Sequence, residues 1–312
     1  MNGLNPKVKV AKLSIISNTF LTIGKLAVGF SMNSVSVISE AIHSALDLLA
    51  AIIAFSAVKI SAKPADECHN FGHGKYENVA SIIEAMLIVG AAVLIVCKAV
   101  PKFSGQVEIE NLGIGAAVMA VSALVNYLVS RKLMKVAKET DSPALAGDAW
   151  HLLTDVYTSL GVFLGIVAIY FTGLTIIDPI IAIVVALLIL KAAYNLIYES
   201  MSSILDARLP EEEIRIIHET LKAYSDQIIN YHELRTRKSG SERYVDMHLL
   251  IPKCRTLVEA HNLCDQIEKD INLRLTNIRV LIHAEPCGAG CFKGNPSINS
   301  CKSCKERNKF LQ

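Results

Sequence analysis

Apolar residues follow one another in long runs through the first two thirds of the chain and thin out near residue 200. A helix needs about 20 predominantly apolar residues to cross the hydrocarbon core of a bilayer. Six runs have this length and polarity, and we predict spanning helices over 10–30, 34–60, 78–98, 112–131, 145–171 and 175–198. The pattern therefore indicates a polytopic α-helical membrane domain over residues 1–208.

Beyond residue 208, charged residues and short alternating patterns replace the apolar runs. Pro210, followed by three glutamates, is typical of the first turn of a helix. Periodicity then predicts strands at 229–236, 244–251 and 278–283 and a helix at 258–273. The order helix, strand, strand, helix, strand indicates a small α+β domain over 209–286, with its helices on one face of a sheet.

Composition agrees with a membrane protein. Hydrophobic residues make up 52% of the chain and the mean hydropathy is +0.40, which is too apolar for an ordinary soluble domain. The net charge is only +2 and the Lys and Arg residues form no basic stripe, so we expect no nucleic-acid partner. The first apolar run lacks a signal-peptide cleavage site and is interpreted as a retained helix.

Basic residues gather before the first predicted helix and in alternate connections. They are Lys7, Lys9 and Lys12, then Lys59, Lys63 and Lys75, then Arg131, Lys132, Lys135 and Lys138. Because positively charged connections stay on the cytoplasmic side, we expect both termini in the cytoplasm.

The second and fifth predicted helices share the motif acid-Ala-x-His-x-x-x-Asp. Residues four apart lie on one face of a helix, so each helix presents an imidazole and a carboxylate on the same stripe. Two facing stripes supply the four nitrogen and oxygen ligands that zinc accepts. An Asp at the centre of a spanning helix costs about 2.5–3.5 kcal/mol on insertion scales, which disfavours a plain polar patch. The predicted metal ligands are His43, Asp47, His151 and Asp155.

Two further groups of polar residues accompany this motif. Glu40 and Asp148 lie three residues before each histidine and either orient the ligands and pass protons or serve as packing or cap residues. In the connection after the second helix, Asp66, His69 and His73 form a second candidate metal site, with a polar loop as the alternative.

The paired His-x-x-x-Asp helices, the Gly-His-Gly-Lys loop that contains His73 and the six-helix-plus-small-domain layout resemble the cation diffusion facilitator family. The likeness covers about residues 8–286. It implies a homodimeric metal transporter without enzymatic activity, and the histidine at position 43 favours zinc as its cargo.

The resemblance also implies that residues 209–286 form a ferredoxin-like cytoplasmic domain that binds regulatory Zn²⁺ at the dimer interface. The matching ligand positions are His232, His248, His261, His283 and Glu285. The family often has Asp where this chain has Glu285, which leaves a two-metal geometry open. Lys75 and Asp206 are implied to form a charge pair that locks the dimer.

A Cys-rich tail over residues 287–312 departs from the family pattern. Its close pairs resemble a zinc knuckle and predict a structural Zn²⁺ held by Cys287, Cys291, Cys301 and Cys304. The alternatives are an unstructured reactive tail, an iron–sulfur cluster, or Cys287 joining the site of His283 and Glu285.

These observations predict proton-coupled efflux of a divalent transition metal, with zinc favoured over iron(II), cobalt, nickel and manganese. The short fourth connection lacks the His-rich loop of vesicular animal relatives, which favours a bacterial cytoplasmic membrane. A membrane metal sensor would not need the repeated ligand pair. An intramembrane metalloenzyme is disfavoured because the His-Glu-x-x-His pattern is absent from the sequence.

Overall fold

The apolar runs of the first two thirds of the chain form six long helices. They are α1 (Pro6–Met32), α2 (Val35–Ser61), α3 (Lys75–Ala99), α4 (Ile114–Thr140), α5 (Pro143–Thr172) and α6 (Ile177–Ile204). The computed structural model describes residues 6–32, 35–101, 114–172 and 176–287, without the side chains of 29, 31–43, 98, 114–119, 162–172 and 177–178. The chain divides into two units, Met1–Ser202 and Ser203–Gln312.

Several helices extend beyond their apolar sections. Helix α4 continues to Thr140 and includes the basic residues from Arg131 to Lys138, which the sequence assigned to a connection. That assignment was wrong because Arg and Lys are good helix formers, so the backbone hydrogen bonds continue where hydropathy ends. Only Asp141, with a φ of 49°, and Ser142 separate α4 from α5.

Three described helical stretches are long and apolar enough to cross a membrane. They are Ser44–Ser61, Lys75–Cys97 and Pro179–Ile204. Crossing by α1, α4 and α5 stays a prediction, since α1 carries four lysines and parts of α4 and α5 lack described side chains.

Small residues dominate the packing of the first unit. Helix α5 lies against α2, α3 and α4, and buried Ala144 and Ala149 pack there with Ala57 of α2 and Ala80 of α3. Side chains of α3 and α6 form a second apolar cluster around Ile88. Small residues let helix backbones approach closely, which brings polar side chains on neighbouring helices within reach of each other.

The second unit is an α+β domain. Its elements are α7 (Glu211–Ala223), β1 (Asn230–Ser239), β2 (Glu242–Ile251), α8 (Leu257–Arg274) and β3 (Ile278–Pro286). The sheet has the order β1-β2-β3, with β1 antiparallel and β3 parallel to β2. Helix α8 provides the crossover that parallel strands require.

Alternation along β2 decides which face the helices cover. Val245, Met247 and Leu249 are buried against Ile217 of α7 and Ile267 of α8, so both helices lie on one face of the sheet. The predicted α+β fold is therefore confirmed. Residue 248, between these positions, belongs to the opposite face.

Candidate metal centre

The helical unit brings together two of the predicted intramembrane ligands. His151 Nε2 of α5 lies 3.2 Å from Asp47 Oδ1 of α2, and both side chains are buried. The Nδ1 atom of His151 has no hydrogen-bond partner among the described residues. A buried imidazole of one helix and a buried carboxylate of another thus lie next to each other.

The other two predicted ligands lie one helical turn from this pair. Asp155 follows His151 on α5, interacts with it electrostatically and accepts a hydrogen bond of 3.3 Å from Asn126 Nδ2 of α4. His43 precedes Asp47 on α2, and its side chain lies outside the described residues. The side chain of Glu40 lies outside them as well.

The loop after α2 brings Asp66, His69 and His73 together. Asp66 Oδ2 lies 3.3 Å from His73 Nε2, and Asp66 Oδ1 lies 3.5 Å from His69 Nδ1. The backbone N–H groups of Cys68 and His69 donate to Asp66 Oδ1, and the bond from His69 is the main reason why the pKa of Asp66 is lowered. The loop therefore keeps the carboxylate ionised and turned toward the two imidazoles.

The exposed face of the sheet carries a row of histidines. His232 of β1 pairs in register with His248 of β2, which pairs with His283 of β3. Glu285 joins the row, because its Oε1 lies 2.9 Å from His248 Nδ1 and its Oε2 lies 3.4 Å from His232 Nε2. Ligand atoms of His232, His248 and Glu285 all lie within 4.8 Å of one another.

These separations match the geometry of a bound metal. Ligand atoms around a tetrahedral zinc ion, with bonds of about 2.1 Å, lie about 3.4 Å apart. Five contacts between carboxylate and imidazole atoms in the three places fall between 2.9 and 3.5 Å, and His283 Nε2 lies farther away, 3.8 Å from Glu285 Oε1. The donor sets consist of nitrogen and oxygen, which suits divalent transition metals.

Comparison with known proteins identifies the helical unit. Residues 11–205 match the family model of the cation efflux transmembrane domain. The chain belongs to the cation efflux family. Residues 209–287 match the model of the cation efflux protein cytoplasmic domain.

Individual relatives extend over most of this cation efflux protein. An uncharacterized transporter of Synechocystis, sll1263, is 36% identical over 253 residues, which cover 81% of this chain and 82% of the relative. The cation-efflux pump FieF of Yersinia pestis is 31% identical over 281 residues, which cover 90% and 93%. The solved metal-bound C-terminal domain of the CzcD transporter from Thermotoga maritima is 26% identical, covers 25% of this chain and 94% of that chain, and has a TM-score of 0.23.

Membership of the cation efflux family fixes the general function. The chain is an integral membrane protein that transports divalent metal cations, and it is a transporter and not an enzyme. The predictions of the family, of the fold class and of a non-enzymatic function are confirmed.

Some predicted site residues of the cation efflux protein lie apart from the clusters. His261 is exposed on α8, with Nδ1 3.8 Å from Asp265 Oδ1. Cys287 is buried against Ile229, and its N–H donates to Ile251 O. The three remaining predicted cysteine ligands, Cys291, Cys301 and Cys304, lie outside the described residues.

The predicted dimer charge pair joins residues of the two different units. Asp206 accepts a bond of 3.4 Å from Arg237 Nη1 in the second unit, while Lys75 begins α3 in the first. The pairing of Lys75 with Asp206 stays a prediction.

Two buried carboxylates of the helical unit, Glu77 and Glu84, were missed from the sequence. Glu77 accepts hydrogen bonds from Lys7, Ser61 and Ser142. Lys25 Nζ donates to Ser44 Oγ at 2.7 Å. Glu84 is fully buried in α3. A lone charge within an apolar run was the available signal, since ionisable residues in spanning helices usually face the bundle interior.

Proposed function

We propose that this cation efflux protein exports Zn²⁺ from the cytoplasm in exchange for protons. The cargo ion binds within the membrane between α2 and α5, and its ligands are His43, Asp47, His151 and Asp155. The observation that carries the proposal is the 3.2 Å approach of the buried His151 imidazole to the buried Asp47 carboxylate.

Burial and charge support a cation at this point. An ionised carboxylate away from water is costly unless it is paired or coordinates a metal. Asp47 and Asp155 carry two negative charges into the helix bundle, and a divalent cation balances them. Two imidazole nitrogens complete the set of four ligands that zinc prefers.

Proton exchange follows from the ligand chemistry. The histidines must be neutral and the aspartates ionised to bind the metal, so loading from the cytoplasm releases protons. After the helices reorient, protons from the outer side compete for the same atoms and displace the ion. Each pH unit across the membrane is worth about 1.4 kcal/mol per proton, which is enough to drive export when one or two protons return.

The cytoplasmic clusters give the transporter a means of regulation. Zn²⁺ held by Asp66, His69 and His73, and by His232, His248 and Glu285, stabilises the state that binds it. In the proposal the protein is a homodimer with cytoplasmic termini in a bacterial cytoplasmic membrane, and His261, His283, Lys75 and Asp206 act at the dimer contact. The Cys-rich tail holds a structural Zn²⁺.

Transport into proteoliposomes tests the intramembrane site. Zinc uptake driven by an imposed pH gradient should be lost in Asp155→Asn, because the variant removes one ligand charge while keeping the side-chain shape. Glu139→Gln is the control, since Glu139 is an exposed carboxylate of α4 that lies 3.9 Å from Lys135. Wild-type zinc transport by Asp155→Asn would contradict the ligand assignment.

A panel of cargo ions tests the preference for zinc. The same proteoliposomes are loaded in separate experiments with Zn²⁺, Fe²⁺, Co²⁺, Ni²⁺ or Mn²⁺. We expect the highest kcat/KM for Zn²⁺. If another ion is transported faster, the proposed preference for zinc is wrong, while the assignment of the intramembrane site is unaffected.

A further inference from the structure

Helix α3 places a second carboxylate next to α5, outside the metal centre. Glu84 is fully buried, and neither of its carboxylate oxygens has a hydrogen-bond partner among the described residues. Asp148 of α5 is also fully buried, and both of its oxygens lack a partner within the same part of the chain. Among the described residues, these two acidic side chains have neither a cation nor a donor in hydrogen-bond geometry.

Local packing places the Glu84 carboxyl group against α5. Gly147 precedes Asp148, and a methyl group added at Gly147 would overlap Glu84 Oε2. The Glu84 carboxyl group therefore occupies the space that a side chain at position 147 would fill. Glu84 and Asp148 interact electrostatically, and Asp148 is the charged group of the described chain that acts on Glu84.

The neighbours of Asp148 connect the pair to the metal centre. Asp148 lies near the Ser14 hydroxyl of α1, and it interacts electrostatically with His151 of its own helix and Asp47 of α2. His151 and Asp47 are two of the proposed intramembrane ligands and lie 3.2 Å apart. A change in the charge at the metal centre therefore changes the electrostatic potential at the Asp148 carboxyl group.

Two carboxylates cannot both stay ionised at such a place without a counter-ion, because burial and mutual repulsion oppose the charged forms. A divalent metal is disfavoured here because it needs about four ligands, and Glu84 belongs to no group of three or more candidate metal ligands among the described residues. A proton needs only one carboxylate oxygen, and the electrostatic interaction between Glu84 and Asp148 favours one proton on the pair.

We infer that Glu84 and Asp148 form a proton-binding pair that holds one proton while the metal centre is free and releases it when the metal binds. The inference rests on the proposed function. Metal arrival adds two positive charges near Asp148, so the pair gives up its proton and becomes more negative. The balance is one divalent ion bound and one proton released from the pair, in addition to protons lost by the ligands themselves.

Counting protons tests the coupling. Zn²⁺ binding to the full-length protein in lipid nanodiscs is measured by calorimetry at pH 7 in buffers of different ionisation enthalpy. Each protein is also measured with the additional substitution Asp155→Asn, and the number of protons released by this second form is subtracted. The subtraction removes the contribution of the cytoplasmic sites. We expect Glu84→Gln to release about one proton fewer per intramembrane ion than wild type, and Glu84→Asp to keep the wild-type number. Zinc affinity increases with pH, and the increase per pH unit should be about tenfold smaller in Glu84→Gln than in wild type. The reason is that each proton linked to metal binding contributes a factor of ten per pH unit.

Infrared spectroscopy tests the pair without metal. A protonated carboxyl group buried in the bundle has a C=O stretching band, and this band should disappear in Glu84→Gln. If Glu84→Gln does not fold, Asp148→Asn and Gly147→Ala, which displaces the Glu84 carboxyl group, serve in its place. A band that persists in these variants, or an unchanged proton count, overturns the inference. If the wild-type protein binds zinc at its intramembrane site without releasing any proton, the proposed exchange of zinc for protons is contradicted instead. In that case the infrared band still shows whether the pair of Glu84 and Asp148 holds a proton.

Discussion

Ion pairs in the second unit differ in how far they are removed from water. Arg243 Nε and Nη2 each donate a bond of 2.8 Å to the Glu213 carboxylate, and Nη1 donates to Thr276 O at 3.0 Å. The Arg243 side chain is only 7% exposed. The neighbouring pair of Arg215 and Glu212 has a similar separation of 2.7 Å, but its side chains are 64% and 79% exposed.

This contrast predicts very different effects of removing one carboxylate. Glu213→Ala leaves a buried guanidinium without its partner and should lower the free energy of unfolding by about 3 kcal/mol. Glu212→Ala is the matched control and should change it by less than about 1 kcal/mol. Chemical denaturation of the two variants, followed by circular dichroism, checks the difference. Equal effects would contradict the role given to burial.

Spacing revealed some functional residues of the helical unit, and burial revealed others. The repeated His-x-x-x-Asp motif was visible in the sequence because both helices carry it. Glu84 belongs to no repeat, and its partner Asp148 lies 64 positions away, so only the packing of α3 against α5 associates the two.

At the level of the helix, small residues determine how closely neighbours pack. A Cβ atom at Gly161 of α5 would lie 2.9 Å from Val185 Cγ2 of α6. Valine is stiff at χ1, so it does not move aside easily. By contrast, a Cβ atom at Gly90 of α3 would meet nothing within 4 Å.

Substitution of these glycines tests the packing of α5 against α6. Gly161→Val should destabilise the helical unit by about 1–3 kcal/mol, because the added methyl groups overpack a close helix contact. Gly90→Val should stay within about 0.5 kcal/mol of wild type. Thermal unfolding of the purified protein in detergent compares the two, and a larger loss in Gly90→Val would refute the assigned contact.

Helix ends were the least predictable feature of the elements. The apolar sections located the middle of each helix, whereas the ends depend on backbone hydrogen bonding that hydropathy does not measure. Helix α4 shows this, since its last turns are charged and still helical. The strands of the second unit were predicted more closely because alternation along β2 reports burial directly.

At the scale of the whole molecule, metal binding and stability are linked. A ligand that binds only the folded state stabilises it by about 2.7 kcal/mol at a free concentration of 100 times Kd. The row of His232, His248 and Glu285 is therefore expected to make the stability of the second unit depend on Zn²⁺.

Removal of one histidine from this row tests the linkage. Addition of Zn²⁺ should raise the Tm, and EDTA should lower it again. Both changes in Tm should be smaller in His248→Ala than in wild type. His218→Ala is the control, since His218 contacts Tyr231 and lies outside the row. The increase should also shrink as the solution is acidified, because protonated imidazoles do not bind metal. An increase that is the same in both variants would exclude His248 as a ligand.

The sequence by itself determined the six apolar helices, the α+β domain and the motif of imidazole and carboxylate, because periodicity, length and spacing are local properties of the chain. Only the tertiary structure decided that Asp47 meets His151, that three histidines of separate strands form one row, and that Glu84 lies against Gly147. These contacts depend on how closely helices and strands pack, and no local pattern contains that information.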